Sequence, residues 1–577
     1  MTRLFNDPVE FADEMIDGFV AANANQVRRV TGGVVRSTRT PDNQVAVVIG
    51  GGSGHYPAFG GIVGQGLAHG AAMGNLFSSP SAQQVVSVAT SAHRGGGVLL
   101  SYGNYAGDVL HFTQAQEKLD AAGIECRTVV VTDDIASAPV AEKHKRRGIA
   151  GDLTVFKSAA AASEAGYSLD EVVRVAALAN ERTRSFGVAF GGCTLPGADA
   201  PLFTVAEGRM AIGMGIHGEP GIGETDVPTA DELAALFVES LLAELPEGIE
   251  QVAGNRVAVI LNGLGSVKYE ELFVVYRRIA VLLEEAGLDV VDPEVGELVT
   301  SFDMAGASLT LFWLDDELEG FWRAAADTPA YRKGSVAAAE RLDDAEIEAD
   351  ATRPIPDATP GSRAAAATAL LAIEEIAAVI DDSVEELGRI DAVAGDGDHG
   401  IGMQRGARAA VAAAREALAA GAGAHTLLDI AGEAWANRAG GTSGALWGVA
   451  LSAVGESLGD TRDVSGATVA AGATGAKTAI MSFGKAQVGD KTMVDALVPF
   501  AESLEASVAA GEPLYRAWAI AADAAAAAAA DTANLLPLMG RARPHAEKSL
   551  GTPDAGAYSF GLIVQSIAAV LAENQGE

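Results

Sequence analysis

The sequence predicts an α/β domain of two subdomains followed by an all-α domain, and three observations carry that reading. From about residue 45 to 310, short β-branched runs (VAVVI at 45–49, VLL at 98–100, RTVVV at 127–131, VAVIL at 257–261) alternate with Ala-rich helical stretches. Strands separated by helices predict a largely parallel sheet with helices packed on it. Residues 331–362 carry many charges and few large apolar side chains, and end in Pro354, Pro356 and Pro360 followed by Gly-Ser, the composition of a linker. Beyond it, segments 364–380, 407–419 and 501–510 place apolar residues at helical spacing with no β-branched run between them.

The expected units are therefore 1–330, a linker at 331–362, and 363–577. A subdomain break is expected near 185–195, where a stretch with nine glycines between 191 and 223 begins. The run LTLFWL at 309–314 reads as a core strand. The alanine tract at 521–530 reads as a helix filler, because Ala is the best helix former.

At 577 residues the chain has room for about three to five compact units. Forty Lys and Arg against 76 Asp and Glu give a net charge of −36, which excludes a protein that wraps nucleic acid or rests on anionic lipid. Two cysteines, Cys126 and Cys193, make neither a disulfide framework nor a zinc pattern, so a reducing, cytoplasmic setting is expected. Residues 1–20 are broken by acidic side chains, and no uninterrupted apolar run approaches the ~20 residues of a membrane span.

Gly213-Met214-Gly215-Ile216-His217-Gly218 matches the dinucleotide pattern G-x-G-x-x-G, but Glu219-Pro220-Gly221 follows where a helix should begin. The pattern is a decoy, and no Walker A sequence is present. Gly50-Gly51-Gly52-Ser53-Gly54-His55 follows the strand at 45–49. There the glycines would let backbone N–H groups approach a small polar ligand; the same residues equally suit a tight turn with a core-facing His55. Gly103-Asn104-Tyr105-Ala106-Gly107-Asp108 follows the strand at 98–100. If the two strands are neighbours, His55 and Asp108 share a sheet edge as an imidazole–carboxylate pair, with a helix N-cap the alternative for Asp108.

In the helical part, Asp391, Asp396 and Asp398 lie within eight residues and repel one another unless a cation joins them. Position 12 of an EF-hand counted from Asp396 would be Ala407, so Mg²⁺ with water and phosphate oxygens is the better fit. A solvated acidic loop is the bland alternative. Gly440-Gly441-Thr442-Ser443-Gly444 and Gly489-Asp490-Lys491-Thr492 each precede a helical stretch, with Asp490 expected as an N-cap, and Arg541 and Arg543 add positive charge. Carboxylates, helix N-termini and Arg together suit a magnesium-bound nucleotide triphosphate.

The motifs GGGSGH, NYAGD, GIHGEPG, GDGDHG, GGTSG, GDKTM and GRA…GTPDAGA occur in this order over nearly the whole chain. They resemble the dihydroxyacetone kinase family. That resemblance implies a ketose-binding α/β domain and a helical-barrel ATP-binding domain, with ATP as phosphoryl donor. It implies that His217 adds to the substrate carbonyl as a hemiaminal, and that Asp108 and His55 are the acid/base pair. Gly52, Ser53, Gly54 and Gly103 would line the pocket with them. It assigns Asp391, Asp396 and Asp398 to two Mg²⁺ ions, and His399, Gly400, Gly441, Thr442, Ser443, Thr492, Met493, Arg541, Asp554 and Gly556 to the nucleotide. A homodimer is implied as well.

Tyr56 stands where the family has Glu, Gly103 where it has Lys, Ala106 where Thr is common, and Ala555 replaces a proline. The loss of the Lys and Thr side chains is expected to enlarge or depolarise the pocket, pointing to the four-carbon ketose erythrulose, with dihydroxyacetone the alternative. A non-catalytic ketose-binding regulator and a lyase that cyclises flavin nucleotides are the readings from other classes.

Overall fold

The computed structural model describes residues 4–341, 355–393, 395, 397–539 and 548–573. Contacts divide the chain into two units, 1–350 and 351–577.

The first unit contains two principal sheets. Strands β1 (Val27–Val30), β2 (Gly33–Arg36), β3 (Ala46–Gly52), β4 (Gly70–Gly74), β5 (Val98–Gly103) and β6 (Cys126–Val131) form one, in the order β1-β2-β4-β3-β5-β6. β3 lies at its centre, parallel to β4 and β5, and β5 is parallel to β6. Every residue of β3 is buried, which its apolar VVI run and side-chain-free glycines permit.

The second sheet contains β7 (Thr183–Ala189), β8 (Arg209–Ile212), β9 (Gly223–Asp226), β10 (Arg256–Gly263), β11 (Asp289–Val290), β12 (Glu294–Gly296) and β13 (Gly306–Leu314), in the order β11-β10-β13-β7-β8-β9 with β12 also on β10. The chain thus changes sheet between β6 and β7, beside the region where a subdomain break is expected.

The expectation of a largely parallel sheet holds for the core of the first sheet and fails for the second. β13 runs antiparallel to both β10 and β7, and β8 and β9 continue antiparallel. Nine-residue β13, containing LTLFWL, is buried throughout.

Helices α1 (Phe11–Ala22), α2 (Ala82–Ala92), α3 (Ala106–Ala121), α4 (Asp152–Glu164), α5 (Leu169–Glu181), α6 (Ala230–Leu242), α7 (Tyr269–Glu285) and α8 (Asp316–Arg323) fill three layers. α2 and α3 cover one face of the first sheet around Val48, Leu100 and Phe112. α6 and α7 cover the far face of the second around Phe237, Ile279 and Trp313. Between the sheets, α4 and α5 share one core with residues of both, including Ile49, Phe156, Ile260 and Phe312. Helix starts are written locally: Ser81–Gln84, Ser168–Glu171 and Thr229–Glu232 are capping boxes.

The second unit, among its described residues, is a ring of helices: α9 (Pro360–Asp391), α10 (His399–Ala419), α11 (Ala424–Ala439), α12 (Gly441–Leu458), α13 (Gly466–Gly484), α14 (Val494–Ala509), α15 (Leu514–Asp531) and α16 (Ala555–Glu573). Each packs on the next, and α16 packs back on α9, closing the barrel that the resemblance implies. In the Ala tract of α15, Ala521, Ala522, Ala525 and Ala529 are buried, a helix-spaced face of small side chains. α16 is long and apolar enough to cross a membrane by composition, yet it packs against α14, α15 and α9.

Candidate active site

The parallel pairing of β3 with β5 brings the GGGSGH and GNYAGD segments to one carboxyl edge. The glycines there are obligatory for packing: a Cβ on Gly51 would lie 2.3 Å from the Phe59 ring, and one on Gly52 would lie 2.3 Å from the Leu76 carbonyl oxygen. Their environment also corrects an expectation. The Ser53 and Gly54 N–H groups donate to the carbonyls of Asn75 (3.2 Å) and Leu76 (2.7 Å), so they are already engaged by a neighbouring loop. The Ser53 hydroxyl, by contrast, is buried and unpartnered, a handle for a polar ligand.

The loop between β12 and β13 fastens this turn. Thr300 N–H donates to the His55 carbonyl (3.2 Å), Phe302 N–H to the Gly54 carbonyl (3.0 Å), and the Thr300 hydroxyl to the Tyr56 carbonyl (2.8 Å). His55 Nδ1 lies 2.7 Å from the Thr300 carbonyl oxygen, which can only accept, so Nδ1 carries the proton. His55 Nε2 then points across to His217 Nε2 at 2.9 Å. No helix starts after the G-x-G-x-x-G pattern; the segment is an irregular loop between β8 and β9. The two imidazoles stand at 78° with centroids 4.8 Å apart. Phe77 (5.4 Å) and Tyr105 (4.6 Å) pack edge-on against the His217 ring.

Asp108 is buried in the first turn of α3. The helix starts three residues earlier than an N-cap at Asp108 requires, and Tyr105 occupies the cap. Gly103 closes β5 against Gly148, where a Cβ would meet the Tyr105 ring at 3.2 Å and the Gly148 carbonyl at 3.3 Å. The missing Lys therefore depolarises this wall without opening a cavity beside it, whereas Ala106 is exposed.

Three residues that sequence reasoning missed surround His217. Glu219 Oε1 lies 3.1 Å from His217 Nδ1, and Glu219 Oε2 accepts the His217 backbone N–H at 3.0 Å. Arg147 lies 3.7 Å from Glu219 and 2.8 Å from Asp134. Burial pushes the Glu219 carboxyl up, but His217 and Arg147 together hold it well below the usual carboxylate range. The only sequence signal was the HGE adjacency, since Arg147 and Asp134 lie 70 and 83 residues before His217, and Arg147 reaches the site on the loop that Asn104 and Tyr105 pin by hydrogen bonds to the 146 and 148 carbonyls.

In the helical unit, the residues expected around a nucleotide fall on four alternate connections: α9–α10, α11–α12, α13–α14 and α15–α16. In a ring of sequentially packed helices those connections share one end. Contacts agree: His399 Nε2 is 3.0 Å from the Ser559 hydroxyl and His399 Nδ1 is 3.5 Å from that of Ser443, while a Cβ on Gly556 would lie 3.5 Å from Met493 Cβ. Thr442 and Ser443 sit inside the first turn of α12, which begins at Gly441, earlier than the sequence pattern suggests. Gly400 is a packing residue, because a Cβ there would lie 2.1 Å from the Val384 carbonyl. Asp490 is not the N-cap of α14. Its carboxylate accepts Gln487 N–H, while Asp495, unforeseen, accepts the Thr492 and Gly489 N–H groups.

Asp391 ends α9 and accepts the Gly397 N–H at 2.8 Å, and Asp398 precedes α10. Burial and then the Asp391 charge push the Asp398 carboxyl up to about 7, and burial foremost pushes Asp554, which also feels Asp391, up to about 7. Mutually repelling half-buried carboxyls with hydroxyls nearby are a hard-oxygen donor set suited to Mg²⁺. Among the described residues no group of three or more His, Cys, Asp or Glu closes into a metal site. Asp396 and Arg541 lie outside the described residues.

An α/β unit presenting paired histidines and a helical ring presenting carboxylates and helix N-termini define a two-part transferase. Residues 17–330 match the Dak1 domain and residues 393–569 match the DAK2 domain. The chain belongs to the dihydroxyacetone kinase family. It is 62% identical over 571 residues to L-erythrulose kinase of Pectobacterium atrosepticum, covering 99% of this chain and 97% of that one. It is 54% identical over 586 residues to D-erythrulose kinase of Mycolicibacterium smegmatis, covering 100% of both. The crystal structure of the dihydroxyacetone kinase from C. freundii in complex with AMP-PNP and Mg²⁺ is 30% identical, with a TM-score of 0.52, covering 98% of this chain and 99% of that one.

Proposed function

We propose that the protein is an ATP-dependent kinase that phosphorylates a terminal hydroxyl of erythrulose. The observation that carries this reading is the end-to-end identity with two proteins named erythrulose kinases. The departure at Gly103 supports it through polarity alone, since the wall there is less polar but no wider.

In this reading His217 Nε2 attacks the ketose carbonyl, selecting ketones over polyols, and His55 supplies the proton to the resulting oxygen. Ser53 offers its hydroxyl to the substrate, and Phe77 and Tyr105 exclude water around the ring. Asp108 takes the proton of the terminal hydroxyl as that oxygen attacks the γ-phosphorus and ADP departs. Asp391 and Asp398, with Asp396, would hold two Mg²⁺ ions, which neutralise triphosphate charge when bound. His399, Gly441, Thr442, Ser443, Thr492, Met493, Arg541, Asp554 and Gly556 would surround the nucleotide, with Gly400 packing behind them. Residues 1–330 form the ketose domain and 363–577 the nucleotide domain in this scheme, within a cytoplasmic homodimer.

The test is kcat/KM with both erythrulose enantiomers and with dihydroxyacetone. Erythrulose is expected to be favoured; a preference of tenfold or more for dihydroxyacetone overturns the assignment.

A further inference from the structure

We infer that Glu219, held by Arg147, is a positioning residue for carbon–nitrogen bond formation at His217. It fixes the ring with Nδ1–H donated and Nε2 bare, and its charge balances the cationic ring that the bond leaves. The inference rests on the covalent role proposed above for His217.

Glu219 grips His217 twice, through Nδ1 (3.1 Å) and through the backbone N–H (3.0 Å), so the ring and its main chain move together. The loop closes on itself through Gly215 N–H to the Glu219 carbonyl (2.9 Å) and Gly218 N–H to the Gly215 carbonyl (3.0 Å). Gly215 is needed at that point. A Cβ there would lie 2.1 Å from Glu219 Oε2 and 2.4 Å from Arg147 Nη1, so the loop clears space for this carboxylate and guanidinium. Gly213 and Gly218, at φ of +71° and +83°, let the chain turn sharply enough to bring Glu219 back under the ring. Arg147 is oriented by Asp134, through both Nε (3.0 Å) and Nη2 (2.8 Å), and by the Gly213 carbonyl at 3.1 Å.

Charge counting gives the cluster its purpose. One half-buried guanidinium faces two carboxyl groups, buried Asp134 and half-buried Glu219, which leaves the cluster one positive charge short. In the proposed step the Nε2 lone pair forms the bond to the carbonyl carbon, and the carbonyl π pair moves to oxygen. The proton on His55 Nε2 passes to that oxygen as a hydroxyl. His217 is then an imidazolium with Nδ1–H still on Glu219, and His55 is neutral. The positive charge of the histidine pair has been drawn onto the ring next to Glu219, where the deficit lies.

The experiment is ¹³C NMR of a ketose labelled at the carbonyl carbon, titrated onto the full chain without ATP. Wild type is expected to convert bound ketone to a tetrahedral resonance that disappears in H217A. Absence of that signal in wild type overturns the covalent reading itself. With the signal present, E219Q, which keeps an acceptor but loses the charge, is expected to weaken adduct formation at least tenfold and kcat/KM for the ketose by a similar factor, with KM for ATP unchanged. E219D, which keeps the charge, is expected to retain the adduct at least threefold better than E219Q. An adduct within twofold of wild type in E219Q, or no advantage of E219D, overturns the role of Glu219. Should E219Q not fold, R147Q is read in its place: a loss of at least threefold in adduct affinity supports the role and an unchanged affinity overturns it.

Discussion

His55 Nε2 and His217 Nε2 lie 2.9 Å apart, and each ring has already committed its other nitrogen, His55 to the Thr300 carbonyl and His217 to Glu219. Two neutral rings so placed would turn lone pairs toward each other. A hydrogen bond at this distance needs one further proton between them, and a ketone entering the gap meets a nucleophile on one side and an acid on the other. His55→Ala removes the acid and is expected to lower kcat/KM for the ketose by about 10²–10⁴. Steady-state kinetics should show the loss on the ketose side, with KM for ATP near wild type.

His217→Ala removes the nucleophile. Ketose kinase activity is expected to fall sharply, because binding energy no longer fixes the hydroxyl for transfer. Ketose kinetics unchanged from wild type would refute a covalent role.

Asp391 and Asp398 share a corner of the ring end without a fixed positive partner among the described residues. Asp391→Ala and Asp398→Asn are each expected to cut kcat by about 10² or more, as loss of charge stabilisation at phosphoryl transfer does. Calorimetric titration should show Mg²⁺-dependent nucleotide binding weakened in step, with helical circular dichroism retained.

Asp152, in the first turn of α4, is buried with one carboxyl oxygen unpartnered; burial, then the Asp133 and Asp108 charges, push its carboxyl well above the usual range. A folded-state pKa above the unfolded value of about 3.9 makes its contribution to stability complete below that pH. The contribution is lost as pH rises from there through the raised folded value. Asp152→Asn cannot ionise, so its melting temperature relative to wild type is expected to rise between pH 5 and pH 8, by roughly 2–4 °C for each kcal/mol relieved. A difference that does not change with pH would contradict this.

Much of this architecture was legible in the chain. Strands β3, β5, β6 and β10 announce themselves as β-branched runs and β13 as an apolar one, and the Ala-rich segments at helical spacing predict an all-helical second unit, whose closure into a ring only the family resemblance implies. The antiparallel pairings of the mixed second sheet were not legible, because buried β13 has the same apolar texture as a parallel strand and only its pairing with β10 and β7 sets direction. Motifs locate His55, Asp108 and His217, while the groups that orient them are a backbone carbonyl at Thr300, which has no sequence signature, and Arg147, which is distant in sequence. The engaged N–H groups of Ser53 and Gly54 were hidden for the same reason: a glycine-rich turn looks alike whether it faces a ligand or another loop.

Covalent capture of the ketose by His217 can be seen directly in a crystal structure of the protein soaked with erythrulose and no nucleotide. Electron density is expected to run continuously from His217 Nε2 to a tetrahedral carbon, at a single-bond length of about 1.5 Å. A planar ketone resting at van der Waals distance from His217 would contradict it.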